Sequence, residues 1–204
     1  SPKKKVKIIR GIIFLNLSDN LGVNYKNSPQ ECKPDESFIV NIMVGPPSNN
    51  SLIDNMMSEF FSSEGRHIIC GGTTAILASK YLGTELIVDL NYVDCTIPPS
   101  GQIEGVDIVT EGVITLGMVL ERARLYINNG DVHFRSVQYS DSVSKICRIL
   151  FDDAQNIRFF VGRAINEAHQ LPGSTISFEH KMKVVSELIN CLCQMGKRVT
   201  SKYY

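Results

Sequence analysis

His67–Ala78 reads HIICGGTTAILA. A short apolar run, within a predicted strand Arg66–Cys70, stops at Gly71 and Gly72. Two threonines follow, then a helical pattern over Thr74–Leu82 with Gly83 as its stop. A buried strand that turns directly into a helix is the first half of a βαβ unit. Glycines let backbone N–H groups approach a ligand without a Cβ in the way. The first N–H groups of a helix have no intrahelical partner and carry partial positive charge. Two readings fit the corner. Gly71, Gly72, Thr73 and Thr74 hold a phosphate or carboxylate, or Thr73 or Thr74 caps the helix while the glycines allow a tight turn. The stretch matches neither G-x-G-x-x-G nor G-x-x-x-x-G-K-[ST], which excludes a dinucleotide fingerprint and a P-loop.

The same alternation extends in both directions. Upstream, Phe38–Val44, FIVNIMV, reads as a buried strand ending at Gly45-Pro46-Pro47. Ser51–Ser63 then reads as a helix, with Leu52, Ile53, Met56, Met57, Phe60 and Phe61 on one face. Ser51 and Asp54 have capping-box spacing. Downstream, Glu85–Leu90 is a predicted strand, followed by a loop through Ile97-Pro98-Pro99-Ser100-Gly101. Val106–Val109 is a strand, and Gly112 opens a helix running to about Ile127. Asp141–Asp152 is helical, with Val143, Ile146, Cys147, Leu150 and Phe151 as its apolar stripe. Ile157–Val161 is a strand that stops at Gly162. Phe178–Met195 is a long helix, and Val199–Tyr204 a last strand.

This pattern predicts a three-layer α/β domain over residues 37–204. It has a Rossmann-like, largely parallel central sheet with helices on both faces. Residues 1–36 read as an extension or linker, with one or two strands within Val6–Leu17. In a parallel sheet the glycine corners at Gly45, at Gly71-Gly72-Thr73-Thr74, at Glu111-Gly112 and at Gly162 share one rim, and ligands bind along such rims. Asn166 and His169 follow the Gly162 corner and join the candidate site. Glu111 reads as a general base or ligand anchor, or as a charge favoured by a helix dipole. Cys70 reads as a nucleophile activated by a helix N-terminus or as a small apolar strand-end residue. His169 has an alternative too, as part of a segment that satisfies its own backbone.

Composition narrows the function classes. The chain has 204 residues, 43% hydrophobic and 21% charged, with 21 basic and 21 acidic side chains. That balance gives no electrostatic reason to expect nucleic acid or an anionic membrane as partner. No apolar run approaches the ~20 residues of a membrane span. Pro2-Lys3-Lys4-Lys5-Val6-Lys7 precedes only a short apolar stretch, which does not read as a secretory leader. Six cysteines without C-x-x-C spacing suit free thiols in a reducing cytoplasm. Four scattered histidines make no metal motif.

Gly45-Pro46-Pro47, IICGGTTAILASKYLG, IPPSGQIEGVDIVTEGVITL, FFVGRAINEAHQLPG and GKRVTSKYY occur in this order. In that order they resemble the C-terminal region of bacterial serine phosphatases of the stage II sporulation protein E type, over roughly Asn41–Tyr204. The resemblance implies a domain appended to an Mg- or Mn-dependent phosphatase. The metal belongs to that attached domain, so no cofactor is expected here. This chain has no Asp-Gly pair, and its only Asp-Asp, Asp152-Asp153, lies in a helical pattern.

The leading expectation is therefore a non-catalytic, ligand-sensing domain that takes a small anionic or nucleotide-like ligand at the rim and signals to an attached phosphatase. A dimerisation or partner-docking module is the alternative, with a homodimer as its simplest form. A third is a small-molecule enzyme using Cys70, Glu111 or His169.

Overall fold

The computed structural model describes residues 38–88, 100–129, 141–164 and 178–204. All of these belong to the compact unit Pro34–Tyr204. The predicted extension 1–36 lies outside them, as do Asn166 and His169.

β1 (Ile39–Val44) is buried along its whole length. A strand covered on both faces has no reason to alternate apolar with polar, and IVNIMV accordingly reads as one run. β2 (Arg66–Cys70), β5 (Ile108–Thr110), β6 (Asn156–Val161) and β7 (Arg198–Tyr203) complete a parallel set. Two short strands, β3 (Ile87–Val88) and β4 (Ser100–Gln102), extend it as an antiparallel edge. The sheet order is β3-β4-β5-β2-β1-β6-β7. The five parallel strands thus stand third, second, first, fourth, fifth in chain order, a doubly wound arrangement.

Side chains alternate between the faces, and each face has its own core. Met43, Ile69, Val109 and Phe160 point to α1 (Ile53–Ser62) and α2 (Gly72–Leu82), where they meet Met56, Met57, Phe60, Ala75 and Ala78. Val40, Ile42, Val44, Ile68, Cys70 and Phe159 point the other way. There they meet α3 (Val113–Asn129), α4 (Ser142–Cys147) and α5 (Phe178–Gln194). The three-layer α/β architecture expected from the sequence is the one observed.

Several local expectations are corrected. The Ser51–Asp54 capping box does not form. Asn49 accepts from the Ser51 N–H at 2.9 Å, and a single 3-10 turn, Asn50–Leu52, precedes α1. The predicted loop at Ser100-Gly101 contains β4. Gly101 lies where a Cβ would press on the side chains of Leu86 and Val109, so a glycine without apolar signature can be a strand residue. The strand over Glu85–Leu90 is confined to Ile87–Val88 within the described residues. α4 runs on into a π-helical turn, Arg148–Asp153, which buries three consecutive residues, Ile149, Leu150 and Phe151. Regular α-helical spacing would not put all three on one face.

β7 is an edge, and charge protects it. Arg198 and Lys202 line it. The Lys202 ammonium pairs with Glu59 of α1, and the Tyr204 hydroxyl donates to Glu59 Oε2 at 2.8 Å. The Lys202 hydrogen bond, chiefly, holds the Glu59 carboxyl below its usual 4.5. A depressed carboxyl contributes stability above its unfolded value and loses it as pH falls through the folded one. Glu59→Gln should therefore lower the melting temperature at neutral pH, with the wild-type and variant curves converging well below pH 4.5. A gap that persists unchanged into acid would contradict this role for Glu59.

Candidate functional site

The strand registers put the corners in one row. Val44 pairs with Cys70 and with Val161, and Cys70 pairs with Thr110. The corners at Gly45, Gly71, Gly112 and Gly162 therefore follow four neighbouring parallel strands and lie on one rim. Gly45, Gly71 and Gly112 have φ of +75°, +129° and +138°, values that L side chains rarely adopt.

β2 and β5 end alike. Gly71 is followed by a threonine three residues on, Thr74, and Gly112 by Thr115. Gly71 is the N-cap of α2 and offers it no side chain, so Thr73 and Thr74 do not cap that helix. In both helices the glycine carbonyl accepts the first intrahelical bond, Ala75 N–H to Gly71 O at 2.9 Å and Leu116 N–H to Gly112 O at 3.0 Å. The two glycines touch, since a Cβ on Gly112 would lie 3.2 Å from Gly71 Cα. Two helices thus start side by side and leave toward opposite faces, α2 to one core and α3 to the other. Gly72 and Thr73 are exposed at this corner.

Beneath them sit polar atoms without partners. Thr74 Oγ1 and Thr115 Oγ1 are fully buried and unbonded. Thr74 Oγ1 faces the N-cap, 3.1 Å from the place of a Gly71 Cβ. The N-cap N–H is the group that an N3 side chain meets in a capping box. Here the Gly71 N–H is already bonded to Thr110 O at 2.9 Å, so the Thr74 hydroxyl is left over. Glu111 Oε2 is likewise buried and unbonded. Buried polar groups are otherwise almost always satisfied.

Cys70 adjoins the corner and is buried. Burial pushes its thiol up to about 12. The neighbouring Thr110 hydroxyl opposes that rise, without a hydrogen bond of ordinary geometry, and the Glu111 charge adds to it. The apolar strand-end reading of Cys70 fits this environment, and activation by the helix terminus does not.

At the other parting of the helices, between β1 and β6, the two loops lie in contact. Ala164 N–H donates to Pro46 O at 3.1 Å, and the Tyr204 carbonyl accepts from Ser48 N–H at 3.2 Å and Arg163 N–H at 2.9 Å. Lys181 of α5 reaches this point. Its Nζ donates to Gly162 O at 2.7 Å and to Ala164 O at 3.3 Å. Sequence reasoning missed Lys181, Thr110 and Thr115. Thr115 was detectable as the second Gly-x-x-Thr of the chain, whereas Lys181 reads as an ordinary polar position of an amphipathic helix.

A cavity of about 700 Å³ lies elsewhere, beside the antiparallel edge. Gly83, Ser100, Asp107, Ser142 and Lys145 are among its lining residues, and no glycine-corner residue is. Asp153 pairs with Arg66 at 3.0 Å, at the opposite end of β2 from the rim. Among the described residues no group of three or more His, Cys, Asp or Glu is placed to hold a metal ion. None of the described helices is long and apolar enough to cross a membrane. No family model matches this chain, and no curated protein or solved structure is detectably similar to it.

Proposed function

We propose that this domain binds a small oxyanion-bearing ligand, a phosphate or carboxylate compound, at the corner where β2 and β5 hand over to α2 and α3. The observation that carries the reading is the pair of fully buried, unbonded threonine hydroxyls beneath two adjoining helix N-termini. Helix N-termini favour anions through unpaired N–H groups and the dipole. The exposed Gly72 and Thr73 leave the first turn of α2 open to solvent. Burial that raises the Cys70 thiol speaks for sensing over a turnover based on that thiol. The sequence resemblance alone supports an attached serine phosphatase as the recipient of the signal.

The test is a thermal-shift screen against nucleotides, phosphorylated metabolites and dicarboxylates, run on the wild type and on Gly72→Glu. Nothing lies within 4 Å of a Cβ at Gly72, and its φ is ordinary, so the variant should fold. Its carboxylate would occupy and repel an anion site. A ligand at one hundred times its dissociation constant should add about 2.7 kcal/mol to the wild type and nothing to the variant. A stable dimer with no ligand response would favour the docking-module reading instead.

A further inference from the structure

Lys181 is a buried cation without a paired carboxylate among the described residues. Only 8% of the residue is exposed. Its ammonium touches two backbone carbonyls and stands 5.3 Å from the Phe178 ring centroid. Among the described residues no carboxylate pairs with it. Two carbonyls use two of its three N–H donors. Buried charges are normally paired, because an isolated one is costly to desolvate. Burial accordingly lowers the Lys181 pKa.

The position of this ammonium is specific. It stands at the C-terminal end of the sheet, between β1 and β6. From there α1 departs to one face and α5 to the other. Such partings are where open α/β sheets receive ligands. The place of a Gly45 Cβ is 3.0 Å from Nζ, so only a glycine lets the ammonium come this close to the β1 corner. The β1 and β6 loops are tied together by the Tyr204 carbonyl, so the surroundings are set before any ligand arrives.

We infer that Lys181, with the backbone of Gly45 and Gly162, forms a second oxyanion subsite on the rim, in which a phosphate or carboxylate supplies a counter-charge. This subsite does not depend on the one between β2 and β5. The two are separated by about two strand spacings, roughly 10 Å.

The test is a titration of the full chain, with its lysine side chains isotope-labelled at the ε-carbon, by inorganic phosphate and separately by succinate at constant ionic strength. The Lys181 signal, assigned by its loss in Lys181→Met, should move saturably with at least one of the two. It should do so equally in Gly72→Glu, whose other site is blocked. Lys181→Met should weaken binding at this subsite about tenfold to hundredfold, the contribution expected of a charged hydrogen-bond donor, and Lys181→Arg should keep part of it. Response to phosphate alone or to succinate alone identifies the anion class. A Lys181 signal that neither anion moves overturns the subsite and leaves Lys181 as a strap for the β6 loop. If Lys181→Met fails to fold, Lys181→Arg provides the assignment and the wild-type titration decides.

Discussion

Gly162→Ala is expected to destabilise the domain by about 3 kcal/mol or more, enough to consume much of an ordinary margin of about 5–15 kcal/mol. A Cβ at Gly162 would fall within the van der Waals envelope of the carbonyls of Pro46 and Gly45. Those atoms belong to backbone that cannot swing aside as a side chain would. The Gly162 N–H is bonded to Val44 O at 2.9 Å, and Ala164 N–H to Pro46 O at 3.1 Å. Relief would therefore have to break the contact between the β1 and β6 loops. Urea midpoints of the wild type and the alanine variant measure the loss. Gly83→Ala tests a different cost, since nothing crowds a Cβ there and only its φ of +67° opposes the change. In a tolerant backbone glycine-to-alanine is neutral or stabilising by up to about 1 kcal/mol, so a Gly162→Ala variant that loses less than about 1 kcal/mol would refute the close approach of the two loops.

The second large effect has the opposite sign. Thr74→Val and Thr115→Val should each stabilise the ligand-free domain by about 1–3 kcal/mol, the cost of leaving a buried hydroxyl unbonded. Valine nearly keeps the shape of threonine and removes the unsatisfied atom. Thr73→Val is the control, because Thr73 is exposed and its change should stay within about 0.5 kcal/mol. The same stabilising substitutions should weaken ligand binding. A site that gives up stability to keep hydroxyls available is expected to gain stability when they are removed. Loss of stability in both valine variants would mean that the hydroxyls already have partners in solution.

Much of the architecture was legible in the sequence, because it depends on periodicity. Strands buried on both faces appear as apolar runs such as FIVNIMV and the IIC that ends RHIIC, and the intervening helices show their core stripe directly. The parallel sense of the central strands followed from strand–helix alternation, and with it the expectation of a shared rim. The antiparallel edge was not legible. β4 is three residues with no apolar run, and its place depends on Gly101 fitting beneath Leu86. Helix starts were misassigned by a few residues, because the cap came from Asn49 in one helix and from a backbone glycine in the other.

The site divides in the same way. Glycines announce strained corners, so Gly45, Gly71 and Gly112 stood out from the sequence alone. What the corners enclose depends on which N–H is already occupied, and that is tertiary information. The Gly71 N–H, bonded to Thr110 O, is not open to the Thr74 hydroxyl, which has no partner. Lys181 illustrates the limit most clearly. Nothing in HKMKVV separates a buried lysine from its exposed neighbour Lys183, yet one is 8% exposed and the other lies open to solvent.

The central claim is that the corner between β2 and β5 receives an oxyanion. Its most direct measurement is a titration of backbone-labelled protein with inorganic phosphate, a nucleotide and succinate, followed at the amides of Gly72 and Thr73. Saturable shifts of these two amides with at least one compound, abolished in Gly72→Glu and weakened in Thr74→Val, are the predicted result. Amides that stay fixed with all three, or that move equally in Gly72→Glu, would contradict the claim and leave HIICGGTTAILA as a packing corner.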